Sequence, residues 1–551
     1  MPGGKPAATP KGRQVDPAAR VEVAALLGAR SRARDLLIEH LHLIQDAKGC
    51  LPTALLAALA EAMRLSLAEV YEVATFYAHF EVVDGPAPAP STVVRVCDSL
   101  TCAMMGAARL HAALANADLT GAKIVRAPCM GACDKAPAVA VGHRQIAPAS
   151  LDAVRRALAA PSPEPVPVSH PDLAAYRAAG GYRTLAACRA GQLTLDAVTA
   201  ALDTAGLRGL GGAGFPTARK WRLVAAQPGP RLMVVNADEG EPGTFKDRHY
   251  LERDPHRFLE GALIAATLVG VEAVYIYLRD EYPAIRQTLI REIAALEAAG
   301  LSGGVRVHLR RGAGAYICGE ESALIESIEG KRGLPRNRPP YVAQVGLFGR
   351  PTLVNNVETL CWVRDIVERG PAWFADQGRR GAKGVRSFSL SGRVREPGVK
   401  LAPAGITARE LIDAYGGGMA PGHAFRAYLP GGASGGILPA ALADLPLEFG
   451  ALEPYGCFVG SHAVIVLSDQ DDLRAAALNL MRFFEDESCG QCTPCRVGTE
   501  KAAALMARPD WDTGLLDELI RTMADASICG LGQAAGNPVR ALLRHFPEVL
   551  R

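Results

Sequence analysis

Apolar residues recur at helical spacing through most of residues 20–84. Leu37, Leu41 and Ile44, for example, fall on one face of a predicted helix. This periodicity predicts a small N-terminal helical bundle. The preceding residues, 1–19, lack an apolar core, and we expect them to form a disordered tail that is neither a secretory signal nor a membrane anchor.

Proline-rich stretches at residues 85–90 and 161–174 bracket a different pattern. Between them, residues 91–160 alternate between short apolar runs typical of strands and longer amphipathic runs, one of which predicts a helix over residues 103–115. This alternation predicts a compact α/β domain. We interpret residues 161–174 as a linker.

Three further segments complete a multidomain α/β chain. In residues 175–380, predicted strands alternate with predicted helices, which indicates an α/β sheet. Residues 381–468 contain short β-type runs, among them residues 458–467, around one helix at 408–415, and predict a small α+β module. Residues 469–551 return to helical spacing and predict a C-terminal helical bundle.

The longest apolar run, residues 261–278, reaches the length at which a membrane span has to be considered. Gly270 and Glu272 divide it into an Ala- and Leu-rich helix and a strand. We therefore expect a buried helix and strand here, and no direct membrane insertion.

Composition and charge describe a globular chain with room for several cores. Of 551 residues, 49% are apolar and 21% are charged, and the net charge is only +3. Lysine and arginine are spread along the chain, so no basic patch indicates nucleic acid, and we expect proteins and small molecules as partners. Five cysteines without a pairing pattern fit a reducing cytoplasm and small core positions. They are Cys50, Cys188, Cys318, Cys361 and Cys457.

The spacing Cys489-x2-Cys492-x2-Cys495, with a lone Cys529 downstream, is typical of the ligands of a 4Fe-4S cluster. A structural zinc site is the alternative for four cysteines. Zinc usually takes its ligands in two separated pairs, whereas three of these cysteines lie in one loop. The pattern therefore favours the iron–sulfur cluster and predicts electron transfer.

A second set of cysteines comes in two pairs, Cys97-x4-Cys102 and Cys129-x3-Cys133, each following a predicted strand. Two pairs fit a 2Fe-2S cluster, although zinc or two disulfides would use the same residues. The first cysteine set favours the cluster, because a chain with two thiolate sites is more often a path for electrons.

The glycines of residues 206–214, followed by Phe215, satisfy the pattern G-x-G-x-x-G. This loop follows the predicted helix at 195–202 and not a strand, so we do not interpret it as a Rossmann fingerprint. A flexible glycine loop is the alternative. Backbone without side chains can nevertheless approach a flat ring or a phosphate closely, and Lys220 can neutralise an anion.

Two further loops are candidates for the same site. Asn236, Asp238, Glu239 and Glu241 follow a predicted strand, where α/β sheets usually bind ligands. The glycine-rich residues 312–322 lead into a predicted helix at 323–328, whose free N-terminal amides could receive a phosphate, and Asn355 and Asn356 could close a third side. Each loop alone could be turn chemistry. Together with two iron–sulfur clusters, these loops predict a flavin. A nicotinamide exchanges two electrons at once as a hydride, whereas a cluster passes one electron at a time, and a flavin converts between the two.

Taken together, these residues resemble the flavin-bearing NADH-dehydrogenase module of respiratory NADH:quinone oxidoreductases, NAD-reducing hydrogenases and NAD-dependent formate dehydrogenases. Strings that are similar to that family occur at residues 210–217, 236–243, 319–322 and 488–495. Upstream, residues 70–77 and the Cys97 set resemble its small thioredoxin-like 2Fe-2S partner, here fused to the flavoprotein part. The resemblance implies a thioredoxin-like fold for residues 91–160 and a ubiquitin-like β-grasp fold for residues 381–468.

The resemblance also implies roles for individual residues. Glu241 and Glu321 would lie on the nicotinamide side as the catalytic pair, with NAD(H) stacked on Phe215 and on FMN. Arg338, Tyr341 and Leu223 depart from the lysine, phenylalanine and aromatic residue common in the family. The remaining cofactor-binding positions are Gly209, Gly211, Gly212, Gly214, Lys220, Asn236, Asp238, Glu239, Gly312, Gly314, Tyr316, Gly319, Glu320, Asn355 and Asn356, with Arg338 and Tyr341 on the adenine side.

Among the parent complexes, residues 96–102 and 180–185 look most like the formate enzymes. We therefore expect a diaphorase that reduces NAD+ with electrons from a partner, a molybdopterin formate dehydrogenase alpha subunit that carries further clusters. An NAD-reducing hydrogenase or a respiratory NADH:quinone oxidoreductase is the alternative. A noncatalytic electron-wiring or assembly subunit is the alternative from another class.

Overall fold

The computed structural model describes residues 14–85, 92–160 and 165–550. Most of the predicted tail, residues 1–13, lies outside the described residues. The prediction that the tail extends to residue 19 is wrong, because the first helix begins at Pro17. The Asp16 carboxylate accepts a hydrogen bond from the Ala18 amide at 2.9 Å, and proline at the first helical position is preorganised for the helix.

The N-terminal segment is the predicted helical bundle. Leu37, Leu41 and Ile44 are completely buried, as their spacing predicts. Two short strands, which the sequence did not indicate, pair in parallel at its edge. The elements are α1 (Pro17–Leu27), α2 (Leu37–Lys48), β1 (Leu51–Pro52), α3 (Thr53–Met63), α4 (Leu67–Phe76) and β2 (Val82–Val83).

The next segment is a four-stranded sheet with the strand order β4-β3-β5-β6 and one parallel pair, β3 with β4. The single helix predicted over 103–115 is wrong: it is two helices that break at Met105 and Gly106, where Gly106 has a φ of 90°. The elements are β3 (Thr92–Cys97), α5 (Leu100–Met104), α6 (Ala107–Ala115), β4 (Ala122–Ala127), β5 (Val139–Val141), β6 (Arg144–Ile146) and α7 (Leu151–Leu158).

The predicted linker is shorter than expected. Residues 161–164 lie outside the described part of the chain, and a helix begins at Leu173, where the Asp172 carboxylate accepts from the Ala175 amide at 2.8 Å. The helices that lead to the central sheet are α8 (Leu173–Ala178), α9 (Arg183–Arg189), α10 (Leu195–Ala205) and α11 (Thr217–Ala225).

The central sheet is parallel throughout, with the strand order β10-β7-β8-β9. The chain moves from β7 outward to β8 and β9 and then returns to the other side of β7. The switch point therefore lies between β7 and β10, where open α/β sheets bind ligands. Its elements are β7 (Arg231–Ala237), α12 (Lys246–Arg253), α13 (Pro255–Val269), β8 (Val271–Leu278), α14 (Pro283–Ala298), β9 (Arg306–Arg311), α15 (Glu321–Ile328), β10 (Thr352–Asn356), α16 (Val357–Arg369) and α17 (Pro371–Ala375).

A mixed five-stranded sheet follows, with the order β12-β11-β15-β13-β14 and a parallel central pair. The β-grasp fold of this segment stays a prediction. The strand predicted over 458–467 begins only at Ala463, and the helix predicted over 408–415 ends in a π-helical turn, Leu411–Tyr415. The elements are β11 (Val385–Gly392), β12 (Gly398–Pro403), α18 (Ala408–Glu410), β13 (Phe425–Leu429), β14 (Leu438–Pro439) and β15 (Ala463–Ser468).

The C-terminal segment is the predicted helical bundle, and it shares a core with the rest of the chain. One continuous apolar cluster includes Leu27, Leu324, Val466 and Leu480, which come from four different segments. Within the described residues, no helix is long and apolar enough to cross a membrane. The helices are α19 (Leu473–Asp486), α20 (Thr493–Met506), α21 (Thr513–Ala526), α22 (Gly530–Ala534) and α23 (Asn537–His545).

A buried charge triad lies beneath the switch point. The ammonium of Lys246, whose side chain is 1% exposed, is 2.9 Å from the Asp247 carboxylate and 3.1 Å from the Glu358 carboxylate. Although burial opposes it, these carboxylates raise the pKa of Lys246 above its ordinary value.

We expect Lys246→Met to lower the free energy of unfolding by about 3–5 kcal/mol, because it leaves two carboxylates buried without their cation. Urea titration of the intact chain measures this loss. As the matched control, Lys501→Met on the exposed face of α20 should change it by less than about 0.5 kcal/mol. Equal midpoints for the two variants would contradict the expectation.

Candidate functional site

Two asparagines mark the switch point. Asn236 at the end of β7 and Asn356 at the end of β10 are register partners. The Asn236 amide nitrogen donates to the Gly319 carbonyl at 2.8 Å, and its amide oxygen accepts from the Asp238 backbone at 3.1 Å. The Asn356 side chain caps α16 and donates to the Asp247 carboxylate at 2.6 Å. These bonds fix the loops that enclose the site.

The glycine loop lies directly on this edge of the sheet. The Gly209 amide donates to the Phe215 carbonyl at 2.8 Å, which closes the loop between α10 and α11. A Cβ at Gly211 would lie 3.1 Å from the Asn356 Cβ, and Gly214 has a φ of 65°. The small size of Gly211 and the backbone conformation of Gly214 therefore favour glycine here, and the loop follows a helix as its sequence indicates. The approach of this backbone to a ligand stays a prediction.

Two cavities adjoin at the switch point. The larger measures about 800 Å³ and the smaller about 340 Å³, and they share lining residues, among them Gly211, Asn236, Gly319 and Asn356. Predicted residues that line the larger cavity are Gly209, Gly211, Gly214, Phe215, Lys220, Asn236, Gly319, Glu320, Glu321, Arg338, Tyr341, Asn355 and Asn356. Those that line the smaller are Gly211, Gly212, Asn236, Asp238, Glu239, Glu241, Tyr316, Gly319, Glu320 and Asn356.

The larger cavity combines aromatic surface with positive charge. Phe215 and Tyr341 are 37% and 55% exposed, and Arg219 stacks over the Phe215 ring at 5.6 Å. The Lys220 ammonium is 3.9 Å from the Glu321 carboxylate. Burial lowers the pKa of Lys220, although Glu321 opposes this. Flat exposed rings beside cations suit an aromatic ligand with phosphates.

The positions that depart from the family pattern line this larger cavity. Arg338 pairs with Glu320 and lies 3.5 Å from Glu321, so it supplies the positive charge that a lysine would. Tyr341 keeps a ring at its position, whereas Leu223, 45% exposed, offers no ring for stacking.

The smaller cavity is lined by buried acids. Glu241 accepts from the Ser434 amide and hydroxyl, each at 2.7 Å, and from the Tyr316 hydroxyl. Burial raises the pKa of Glu241, and it raises that of Asp238 well above its ordinary value. The Asp238 Oδ2 atom is buried and has no hydrogen-bond partner within the described residues. An unpartnered buried acceptor on the cavity wall fits a bound ligand that donates a hydrogen bond.

Glu239 lines the smaller cavity, but its carboxylate is hydrogen-bonded to protein groups. Its carboxylate accepts from the amides of Asp247 at 2.7 Å and Arg248 at 3.1 Å, at the start of α12, and from the Tyr282 hydroxyl at 2.9 Å. Burial and the neighbouring Asp247 raise the pKa of Glu239 to about 7. Its main contribution is to fix α12 against the loop.

The predicted phosphate site at the start of α15 is wrong. The Glu320 Oε2 atom accepts hydrogen bonds from the amides of Ser322 at 3.0 Å and Ala323 at 2.9 Å. A side-chain cap therefore occupies the amides that a phosphate would need. The sequence signal was present, because a glutamate at the N-cap position can satisfy them.

Gly312 and Gly314 are not part of the site, contrary to the sequence prediction. Neither lines the two cavities. Their loop contacts the N-terminal bundle instead: the His42 Nε2 lies 2.8 Å from the Gly312 carbonyl, and the Ala78 amide donates to the Gly314 carbonyl at 3.2 Å. Glycine content alone did not distinguish a ligand loop from a docking loop.

Wall residues from other segments were not predicted from the sequence. Ser434 comes from a glycine-rich loop in which a Cβ at Gly432 would lie 2.6 Å from the Glu241 side chain. The run of glycines at 431–436 was the available signal, because it permits such close approach. Other wall residues that were not predicted are Thr244, Lys246, Asp247, Phe458, Gly460, Ser461, Ile528, Gly530, Leu531, Gln533 and Ala534.

The cysteine set of the thioredoxin-like segment converges at the carboxyl ends of β3 and β4. Cys97, Cys102, Cys129 and Cys133 are all buried, and the sulfurs of Cys129 and Cys133 are 3.5 Å apart. Hydrogen bonds from Cys133 and Cys97 lower the pKa of Cys129 well below its ordinary value. No disulfide joins cysteines of the described chain. Four buried cysteines close together without a disulfide fit the ligand set of a 2Fe-2S cluster.

The C-terminal cysteine set surrounds the start of α20 and reaches the larger cavity. Cys495 is 5% exposed and lies 3.5 Å from the Ser488 hydroxyl, while Cys489, Cys492 and Cys529 are half-buried. Burial raises the pKa of Cys529 to about 12. Cys529 is itself part of the wall of the larger cavity. The thiol set fits a 4Fe-4S cluster that would adjoin the nucleotide site.

Comparisons with known proteins match the central segment with the glycine loop and both segments that carry the cysteine sets. Residues 202–365 match the Nuo51 FMN-binding domain, residues 475–551 the iron-sulfur binding region of NADH-ubiquinone oxidoreductase-F, and residues 23–160 the thioredoxin-like 2Fe-2S ferredoxin. A subunit of the NADH-quinone oxidoreductase of Rhizobium meliloti is 41% identical over 68% of this chain and 92% of its own length. The mitochondrial 51 kDa subunit of the NADH-ubiquinone oxidoreductase of Neurospora crassa is 42% identical over 64% and 76%.

A solved structure is similar over almost the whole chain. An NAD+-reducing NiFe-hydrogenase in the H2-reduced state has a chain 34% identical, with a TM-score of 0.82 over 94% of this chain and 93% of that one. Fold and site together define a subunit of an NAD(H)-dependent flavin and iron–sulfur oxidoreductase. The chain belongs to the family of the FMN-binding 51 kDa subunits of NADH dehydrogenases. Its cofactors are FMN, a 2Fe-2S cluster and a 4Fe-4S cluster, and its module binds NAD(H).

We expect Cys529→Ser to reduce the iron content from about six to about two per chain, because it removes one ligand of the larger cluster and leaves the 2Fe-2S set intact. Iron analysis after anaerobic purification measures this. The control Cys457→Ser changes a buried cysteine outside both sets and should keep about six irons. Full iron content in Cys529→Ser would remove Cys529 from the ligand set.

Proposed function

We propose that the chain is the diaphorase part of a larger complex, in which it exchanges electrons between NAD(H) and a partner subunit. The observation that supports this proposal is that a candidate cluster ligand and candidate nucleotide-binding residues line the same cavity. Cys529, a candidate cluster ligand, lines the cavity that also contains Phe215 and Lys220. Nucleotide chemistry and single-electron chemistry thus have adjoining sites in one chain.

Different residues of the site provide positive charge and aromatic surface for ligand binding. When bound, FMN supplies the exchange between a hydride of NAD(H) and single electrons of iron–sulfur clusters. Lys220, Arg219 and Arg338 give the larger cavity its positive charge, and Phe215 gives it an exposed ring. These residues would hold the charged and flat parts of nucleotides. Hydride transfer needs no protein acid or base, so orientation is what the protein supplies.

Glu241 and Glu321 line different cavities, although the family resemblance implies that both lie on the nicotinamide side. Glu241 lines the smaller cavity and Glu321 the larger one, and the two cavities meet at Gly319 and Glu320. Because Ser434 and Tyr316 fix the Glu241 carboxylate, we assign Glu241 the positioning of a ligand amide or hydroxyl. Glu321 is 27% exposed and balances the charge of Lys220 and Arg338.

The decisive experiment is anaerobic purification of the full chain, with released-flavin and iron analysis and NADH-driven dye reduction. Under the proposal we expect FMN, about six irons as two clusters imply, and rapid bleaching by NADH. Iron without flavin or without an NADH response would favour the noncatalytic electron-wiring subunit instead.

We expect Glu241→Gln to slow NADH-driven dye reduction by roughly tenfold or more while FMN stays bound, because an amide nitrogen cannot accept the hydrogen bonds that position this side chain and the cavity keeps its shape. Rate and flavin content are measured on the same preparation. Glu297→Gln, on the exposed side of α14, is the matched control and should leave the rate unchanged. An unchanged rate in Glu241→Gln would exclude its role.

For the partner, we propose a formate-oxidising subunit in the cytoplasm, supported by residues 96–102 and 180–185, which resemble the formate enzymes. A hydrogenase partner is the second candidate, favoured by the similarity to the hydrogenase chain over 94% of this chain. Purification of the native complex, followed by NAD+ reduction with formate and with H2, distinguishes them. Activity with H2 alone would overturn the formate assignment.

A further inference from the structure

Two buried histidines and a carboxylate meet at the junction between the N-terminal bundle and the central sheet. His42 lies on α2, Asp46 one turn later on the same helix, and His79 in the loop after α4. One ligand-capable atom from each of the three lies within 4.8 Å of the others. This cluster is distinct from both cysteine sets and from the two cavities at the switch point.

Each histidine uses one ring nitrogen for a protein contact and leaves the other without one. The His42 Nε2 lies 2.8 Å from the Gly312 carbonyl, and the His79 Nδ1 lies 2.7 Å from the Asp280 carboxylate. These acceptors require the contacting nitrogens to carry the protons. The opposite nitrogens, His42 Nδ1 and His79 Nε2, are buried and have no hydrogen-bond partner within the described residues.

This arrangement is the one that metal-binding histidines show. A ligating histidine typically donates its second ring N–H to a backbone carbonyl or a carboxylate, which fixes the tautomer and directs the lone pair to the metal. His42 and His79 provide one example of each. A buried nitrogen lone pair without a partner is otherwise unfavourable.

The carboxylate is held in the same manner. Asp46 Oδ2 lies 2.7 Å from the Arg311 guanidinium, which also contacts Asp280 at 2.6 Å. Asp46 Oδ1 lies 3.3 Å from the His143 Nε2. Asp46 and Asp280 therefore share the Arg311 guanidinium, which holds the Asp46 carboxylate in place beside the two histidines.

Solvent access is available on one side. Asp46 and His143 are each 37% exposed, while the His79 side chain is 8% exposed. A cavity of about 230 Å³, lined by His79, His143 and Asp280, adjoins the cluster. It gives room for a water ligand and a route by which a metal ion can enter.

We propose that His42 Nδ1, His79 Nε2 and a carboxylate oxygen of Asp46 bind a zinc ion that joins the N-terminal bundle to the central sheet. Two imidazoles, one carboxylate and a water make a four-coordinate set suited to zinc. Nitrogen and oxygen donors of this kind bind zinc more tightly than ferrous iron in the usual order of divalent affinities. The site is independent of the proposed diaphorase function.

The test uses the full chain, purified anaerobically with its clusters from zinc-supplemented cells. Elemental analysis should give one zinc per chain, and zinc X-ray absorption should show nitrogen and oxygen neighbours at about 2.0–2.2 Å. Zinc below a tenth of an equivalent would overturn the proposal. So would sulfur neighbours at about 2.3 Å, because they would place the zinc in a cysteine set.

Variants assign the ligands. Asp46→Asn is solvent-facing and should fold, and we expect it to lose at least nine-tenths of the zinc, as should His79→Gln. His423→Asn, in the turn before β13 where the ring contacts the Ser468 hydroxyl, is the control and should keep one equivalent. Zinc retained in full by Asp46→Asn and His79→Gln would overturn the assignment.

A stability readout separates a bound metal from a packing role. A zinc chelator should lower the unfolding temperature of the wild-type chain by several degrees, because loss of an ion bound to the folded state destabilises that state. It should leave the unfolding temperature of Asp46→Asn unchanged. An equal effect on both chains would overturn the proposal.

Discussion

The position of the 2Fe-2S cysteine set relative to the switch point depends on two arginines. Arg279 follows β8, is 4% exposed, and donates to the carbonyls of Glu239 and Cys129. Arg248, on α12, donates to the Gly131 carbonyl and to the Asp134 carboxylate at 3.1 Å. A guanidinium buried without acceptors is costly, so the cysteine loop has one docked position against the loop that follows β7.

The polarity of the two cavities gives the site a direction. The larger cavity carries Lys220 and Arg338 together with exposed rings, while the smaller is lined by Glu241 and Asp238, whose pKa values burial raises. Phosphates are attracted by the cationic end, whereas Glu241 and Asp238 at the other end offer hydrogen bonds to a ligand. A ligand with a ring and a phosphate therefore has a preferred orientation, set by charge before any specific contact forms.

Much of the fold and of the candidate site could be predicted from the sequence, because those features depend on residues that lie close together in the chain. The cysteine spacings, the glycine loop and the acids after β7 all identified residues of the candidate sites. The apolar run 261–278 divides at Gly270 into the end of α13 and β8, as predicted. Periodicity could not show that Gly106 breaks a helix with its φ of 90°, or that Glu320 occupies the amides of α15. Those outcomes depend on single backbone and side-chain conformations.

The residues that were missed depend on contacts between distant segments. Ser434 reaches Glu241 because of how the mixed sheet packs on the central one, and 193 positions separate them in the chain. Gly312 and Gly314 have the composition of a ligand loop, but the N-terminal bundle and the loop after it occupy their carbonyls. No local pattern encodes which of two glycine loops faces a cavity.

The shared core has a consequence for how the chain can be divided. Leu27, Leu324, Val466 and Leu480 belong to one apolar cluster, so each segment covers surface that its neighbours would otherwise expose to water. We therefore expect the segments that the topology distinguishes to unfold together and not one by one. A fragment ending at residue 470 would keep the whole central sheet and still present to solvent the apolar face that α19 buries, and we expect such a fragment to aggregate.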